Sequence, residues 1–230
     1  MAQEGNDDGL LIDFDSDSPV LAIAFGGLAM RVGMIPPFEF FNIMSSSAPV
    51  KKIFVRDHHQ AWYHRGVRGV AADIDGVRDA LQRTIDELHP DRVVTLGTSA
   101  GGYAALLFGR LLEVSEAHAF SPQTFIDPVL RERYGDRRWA KPLAALMASG
   151  RYQSRYGDLA ELFEVTPCER TRFVIHHGRG DELGSVHAQR LASRSPHVEA
   201  RGYDIEDKQV VQYLRARGEL ELLLRDILVT

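Results

Sequence analysis

The stretch VVTLGTSAGGYAALLFG, Val93 to Gly109, decides how this chain is read. A β-branched, apolar run leads into Gly97-Thr98-Ser99-Ala100-Gly101, and an alanine- and leucine-rich run follows. The first run suits a buried strand and the second a helix. Glycines flanking a serine permit a sharp strand-to-helix turn that leaves no room for a Cβ. On such a turn Ser99 presents its hydroxyl at the carboxyl end of a central strand. The Ala100 amide, at the start of the helix, points where an oxyanion forms. The pattern reads as a nucleophile on its turn, with a purely structural turn as the alternative.

Working outward, strand and helix alternate. Val20–Phe25, Lys52–Val55, Arg92–Gly97, Glu116–Phe120, Phe173–His177 and His197–Tyr203 read as strands. Pro36–Met44 opens with prolines suited to a helix start. Ile74, Val77, Leu81, Ile85 and Leu88 recur at helical spacing, Glu182–Arg194 reads as a helix, and Asp207–Leu228 reads as a helical C-terminus. This order predicts an α/β fold with a mostly parallel central sheet and helices on both faces. Ser121 to Pro167 is too long for an ordinary connection, so about 121–167 is expected to be a small helical insertion, or lid. Residues 1–18, with Glu4, Asp7, Asp8, Asp13, Asp15 and Asp17, read as an acidic tail whose first residues are disordered, with one short edge strand at Leu10–Phe14. Residues 19–230 form the single domain.

A chain of 230 residues with 44% apolar content fits one core. Its net charge of -5 and scattered Lys and Arg give no field for nucleic acid. Cys168 is the only cysteine, which excludes an intramolecular disulfide and a cysteine-only metal site. It is expected to be a partly buried small hydrophobe beside Pro167. The N-terminus lacks the basic start and apolar core of a secretory signal, and no apolar run reaches the roughly 18 residues of a membrane span. The expectation is a cytoplasmic protein without membrane attachment, cofactor or metal. Oligomeric state is not legible.

The loop Arg56 to Gly66 concentrates His58, His59, Trp62, Tyr63 and His64 at the end of the sheet where ligands bind in such folds. Its histidine spacing does not suit a metal. His59 and Trp62, with Gly27, are the expected substrate contacts, with a packed surface loop as the alternative for the first two. In the insertion, Trp139, Tyr152 and Tyr156 are candidates for an apolar access path, and Arg137, Arg138, Arg151 and Arg155 for recognising an acidic group, with a solvated arginine face as the alternative.

FGGLA, Phe25 to Ala29, follows an apolar strand and offers a glycine-permitted backbone for a second oxyanion donor, the Leu28 amide. HGRGD, His177 to Asp181, follows a late strand. With the GTSAGG turn between them, these motifs resemble the α/β-hydrolase superfamily from Val20 onward. The resemblance implies Ser99 as nucleophile and Asp181, in Gly178-Arg179-Gly180-Asp181, as the acid, with Glu182 in reserve. It also implies a histidine just before the C-terminal helix. That position, in DKQVVQYL, holds Lys208, and no histidine occurs after His197. His197 itself begins the preceding strand, at the far end of the sheet.

Three possibilities stand. Lys208 is the base of a Ser-Lys arrangement, although an ordinary lysine titrates near 10.4 and a neighbouring Asp181 would stabilise its ammonium form. His187 or His177 serves instead. Or the site is impaired, leaving an inactive or substrate-trapping binding protein. The resemblance implies a serine hydrolase-like enzyme acting on a small-molecule ester, thioester or amide through an acyl-Ser99 intermediate, or an acyltransferase using the same intermediate.

Overall fold

Residues 9–29, 34–165 and 168–229 are described by the structure, a computed structural model. Seven strands form one sheet: β1 (Leu10–Asp13), β2 (Val20–Phe25), β3 (Lys51–Val55), β4 (Arg92–Thr98), β5 (Glu116–Phe120), β6 (Arg172–Gly178) and β7 (Val198–Tyr203). Their order is β1-β3-β2-β4-β5-β6-β7. All pairings are parallel except β1 on β3, which is antiparallel and is tied by the buried Lys52 ammonium 3.0 Å from Asp13. The edge strand thus falls within the expected acidic tail, whose residues 1–8 lie outside the described residues.

Side chains alternate across the strands and divide the core into two layers. Leu21, Ile23 and Phe25 of β2 face one layer with α2 (Ile74–Leu88), α3 (Ala100–Leu111), α6 (Leu159–Val165) and α7 (Glu182–Ala192). Ala22 and Ala24 face the other, with α1 (Phe41–Ser47), α8 (Val210–Ala216) and α9 (Leu220–Val229). Helix α2 matches the periodicity of its sequence, and the Asp73 carboxylate caps it by accepting the Gly76 N–H at 2.8 Å.

Two boundaries differ from the sequence expectation. Helix α1 starts at Phe41, not at Pro36, because consecutive prolines keep the preceding residues extended and Phe40 turns the chain at φ 60°. The helical C-terminus is two helices, because Gly218 at φ 68° breaks it between α8 and α9.

The segment after β5 is a helical insertion built from α4 (Pro128–Arg133), α5 (Ala140–Ala148), a 3-10 turn at Ser154–Tyr156, and α6. Ion pairs of Asp158 with Arg190 and of Asp75 with Arg155, and a hydrogen bond between Asp136 and His187, fasten it to the body. Cys168 is buried, with its thiol 3.2 Å from Thr171 Oγ1.

Strand β3 extends the sheet to one side of β2 and β4 to the other. The loops after β2 and β4 therefore flank the crevice where open α/β sheets bind ligands.

Candidate active site

Ser99 sits in that crevice at φ 57° and ψ −117°, a conformation that L-residues rarely adopt. Close backbone approaches enforce it. A Cβ on Gly97 would lie 2.1 Å from the Gly101 carbonyl oxygen, and one on Gly101 would lie 2.1 Å from the Phe25 carbonyl oxygen. The elbow is thus wedged against the end of β2, which only glycine permits. The Ser99 N–H donates to Phe120 O at 2.9 Å, and its carbonyl accepts from Tyr103 N at 3.0 Å, so the residue is anchored on both sides. Ala100 opens α3, where backbone amides lack helical acceptors.

The half-buried Ser99 hydroxyl meets the Gln123 side-chain amide, with Nε2 donating to Oγ at 3.1 Å. Trp62 fixes the orientation of that amide, since its indole Nε1 donates to Gln123 Oε1 at 3.2 Å. Gln123 is 1% exposed and Trp62 fully buried, so the pair forms a rigid wall behind the nucleophile. Sequence reasoning placed Gln123 in the insertion without a role.

On the other flank lies the loop after β2. The Gly26 amide belongs to the sheet, donating to Val55 O at 2.7 Å, and the Gly27 amide donates to the carboxylate of Glu39. A Cβ at Gly27 would lie 3.0 Å from Thr98 O, 3.9 Å from Glu39 Oε2 and 4.0 Å from Ser99 Cβ, which places Glu39 beside the nucleophile. Burial pushes the Glu39 carboxyl up, against the opposing pull of the Gly27 amide and Arg215. The side chain as a whole is half-buried, but its carboxyl lies deeper. Leu28, the expected second oxyanion donor, follows directly and is half-buried.

The loop after β3 is scaffolding for both flanks. The buried Asp57 carboxylate accepts the backbone N–H groups of His59 (2.9 Å), Ala61 (2.6 Å) and Tyr63 (3.0 Å). Burial pushes this carboxyl up while the three amides hold it down. The tight winding carries Gln60, Trp62 and Tyr63 through positive φ. It aims Trp62 at Gln123 and the Tyr63 hydroxyl at Gly26 O, 2.8 Å away. His64 bridges Tyr103 Oη and the Gln153 amide, and burial pushes its imidazole down to about 3. His59 is exposed at the loop surface. Among the described residues no three His, Cys, Asp or Glu side chains converge as metal ligands.

The candidate partners of Ser99 are distributed as follows. The Asp181 carboxylate caps α7, accepting the Gly184 N–H at 3.0 Å. Lys208 is exposed, with its ammonium 4.7 Å from the centre of the Trp139 ring. His177 is buried at the end of β6, its Nδ1 3.1 Å from Gly178 O and 3.2 Å from Ser185 Oγ. His187 is fully buried, with Nδ1 accepting the Thr124 N–H at 3.0 Å and Nε2 3.1 Å from Asp136. Both its ring nitrogens are thereby committed to holding the insertion. Burial drives the ring toward its neutral form, and Asp136 opposes this.

Of the insertion's aromatic candidates, the Tyr156 hydroxyl donates to Asp75 at 2.7 Å, and Tyr152 stacks on His64. Arg138 and Arg155 are held by Asp136 and Asp75, which leaves Arg137 and Arg151 of the four arginines singled out in the insertion.

No family model matches this sequence, and no curated protein matches it. Solved structures do. The capsule O-acetyltransferase of Neisseria meningitidis serogroup A is 16% identical over 94% of this chain and 91% of its own, with a TM-score of 0.68. A mutant of that enzyme in complex with CoA aligns over 98% of this chain and 93% of its own at 14% identity and the same TM-score. Brefeldin A esterase, a bacterial homologue of human hormone sensitive lipase, is 18% identical over 95% of this chain and 70% of its own, with a TM-score of 0.57. Identities this low carry the architecture alone, and with the seven-stranded order and the elbow at Ser99 they identify the α/β-hydrolase fold in this chain.

Proposed function

We propose that this protein transfers acyl groups through an acyl-Ser99 intermediate, taking the acyl group from an ester, thioester or amide and passing it to water or to a small alcohol or amine. The observation that carries this reading is the Ser99 backbone at φ 57° and ψ −117°, held by contacts that only Gly97 and Gly101 allow. Backbone strain maintained at such cost in sequence freedom is characteristic of a functional position. The structural neighbours include an O-acetyltransferase and an esterase, and both activities move an acyl group.

In this mechanism Ser99 Oγ attacks the acyl carbon, and the resulting oxyanion is held by the amides of Ala100 and Leu28. The hydroxyl proton passes to the neutral amine of Lys208 and from there to the leaving group. Collapse of the intermediate leaves an ester on Ser99, which water or the acceptor then attacks. Lys208 must swing off the Trp139 face to do this, which its exposed four-carbon stem permits. Asp181 orients the ammonium form. A substrate donor of the coenzyme A type fits this chemistry, since its thiolate is a good leaving group.

One observation favours a second reading, an acyl-binding protein with impaired turnover. The group facing the Ser99 hydroxyl is the Gln123 amide, which cannot take a proton. Hydrolysis of p-nitrophenyl acetate separates the two. Turnover that disappears in Ser99→Ala, with an unchanged melting temperature, supports the enzyme. A single acylation of Ser99 without turnover supports the binding protein. Full activity in Ser99→Ala excludes both.

A further inference from the structure

Between α4 and α5 the insertion holds a cavity of about 520 Å³. Its wall is mostly apolar: Ile126 stands before α4, and Leu143, Ala144 and Met147 project from one side of α5. An apolar hollow of this size with a few polar groups is the make-up of a small-molecule site.

The polar group that matters is Arg131, on α4, which lines the cavity and is only 9% exposed. Its Nη2 donates to the carbonyl oxygens of Asp136 at 2.6 Å and of Arg138 at 2.5 Å, so the guanidinium plane is fixed by backbone. Nη1 is buried with no hydrogen-bond partner. Among the described residues no carboxylate pairs with this guanidinium. Asp136 also lines the cavity, but its carboxylate is fully buried and turned to Arg138, at 2.9 Å, and to His187, at 3.1 Å. The charge of Arg131 is accordingly under-compensated: burial lowers its pKa and Arg138 adds to this, with Asp136 opposing. Buried donors in folded proteins are almost always paired, and a charged one all the more so. A held guanidinium with an orphaned N–H group, on the wall of an otherwise apolar cavity, calls for an acceptor from outside the chain.

We propose that this cavity binds a monocarboxylate with a hydrocarbon tail, its carboxylate on Arg131 and its tail along Leu143, Ala144 and Met147. A carboxylate is the planar acceptor that matches a guanidinium. Arg137, exposed on the same lining, adds a second positive charge. Glu132, the lining's one exposed carboxylate, disfavours a ligand as highly charged as a phosphate, so a single negative charge suits the site. Neither Ser99 nor Gln123 lines the cavity, and the inference stands apart from acyl transfer.

Calorimetric titration tests this with octanoate, with octanol as the tail without the charge, and with acetate as the charge without the tail. Octanoate is expected to bind the wild type and Ser99→Ala alike, and octanol and acetate to bind more weakly by about tenfold or more. Arg131→Gln should weaken octanoate to the level of octanol. Because Arg131 also holds two backbone carbonyls, a second variant reads the site without touching it: Ala144→Trp, at an exposed position of α5, fills the cavity and should abolish octanoate binding. Arg133→Gln, an exposed arginine of α4 outside the lining, should bind as the wild type does. Failure of octanoate to bind the wild type overturns the proposal. So does octanol or acetate binding as tightly as octanoate, or octanoate binding that survives in a folded Ala144→Trp or Arg131→Gln.

Discussion

The Gln123 amide donates to the Ser99 hydroxyl at 3.1 Å while its own oxygen accepts the indole N–H of Trp62 at 3.2 Å. The nucleophile is thus aimed by a neutral wall, and its proton must leave by another route. Replacing Gln123 by Leu leaves the buried Trp62 N–H without a partner, at a cost of about 1–3 kcal/mol. Trp62→Phe removes the donor, and the double variant is expected to cost less than the sum of the two by about 1 kcal/mol. Urea denaturation of the four proteins measures this; strict additivity would show that the pair is not coupled.

Gly101 and Gly218 are both glycines, but they answer different demands. A Cβ at Gly101 would strike the Phe25 backbone at 2.1 Å, whereas nothing lies within 4 Å of one at Gly218, whose φ of 68° is the sole constraint. Gly101→Ala is expected to lose about 3 kcal/mol or more, and Gly218→Ala about 1 kcal/mol. Equal denaturation midpoints for the two variants would contradict the wedge at the elbow.

These cases show what the sequence could reveal. The sheet and its helices were legible because Ile74, Val77 and Leu81 recur at helical spacing and the short apolar runs sit between them. The elbow was legible because two glycines flank Ser99. Gln123 and Glu39 were not, since each lies in an irregular segment without periodicity and meets its partner only through the fold. The break at Gly218 was hidden for a different reason: VVQYLRARGELELLLRDIL keeps helical composition across it. His187, on the surface-like run SVHAQRLA, gave no hint that it would be buried against Asp136 and Thr124.

Glu39 should make stability depend on pH in a definite direction. Its carboxyl is pushed above the ordinary value, chiefly by burial, so the folded state holds the proton more tightly than the unfolded state. The stability this contributes is present in full below the unfolded value of about 4.3 and is lost as pH rises through the folded value. Glu39→Gln cannot ionise. Its stability relative to wild type is therefore expected to climb from pH 4 toward neutrality and then level off. A difference that is flat across that range, measured by denaturation at each pH, would show that Glu39 is not perturbed.

Lys208 stands where the resemblance places a histidine, and its ammonium rests on Trp139. If it is the base, Lys208→Ala is expected to lower esterase turnover by about two to four orders of magnitude, the usual contribution of a general base. If the site is impaired, Lys208→His is expected to raise turnover, because an imidazole of ordinary pKa near 6.5 is a competent base at neutral pH. Steady-state rates of the two variants decide. Wild-type turnover that survives Lys208→Ala removes Lys208 from the mechanism and leaves His177 as the group to test.

The most direct measurement is covalent labelling of the native protein with a fluorophosphonate, followed by mass spectrometry of the peptide that contains Ser99. An activated nucleophile is expected to give one adduct per chain, on Ser99, and none in Ser99→Ala. A folded protein that stays unlabelled, or that is labelled elsewhere, would contradict acyl transfer through Ser99.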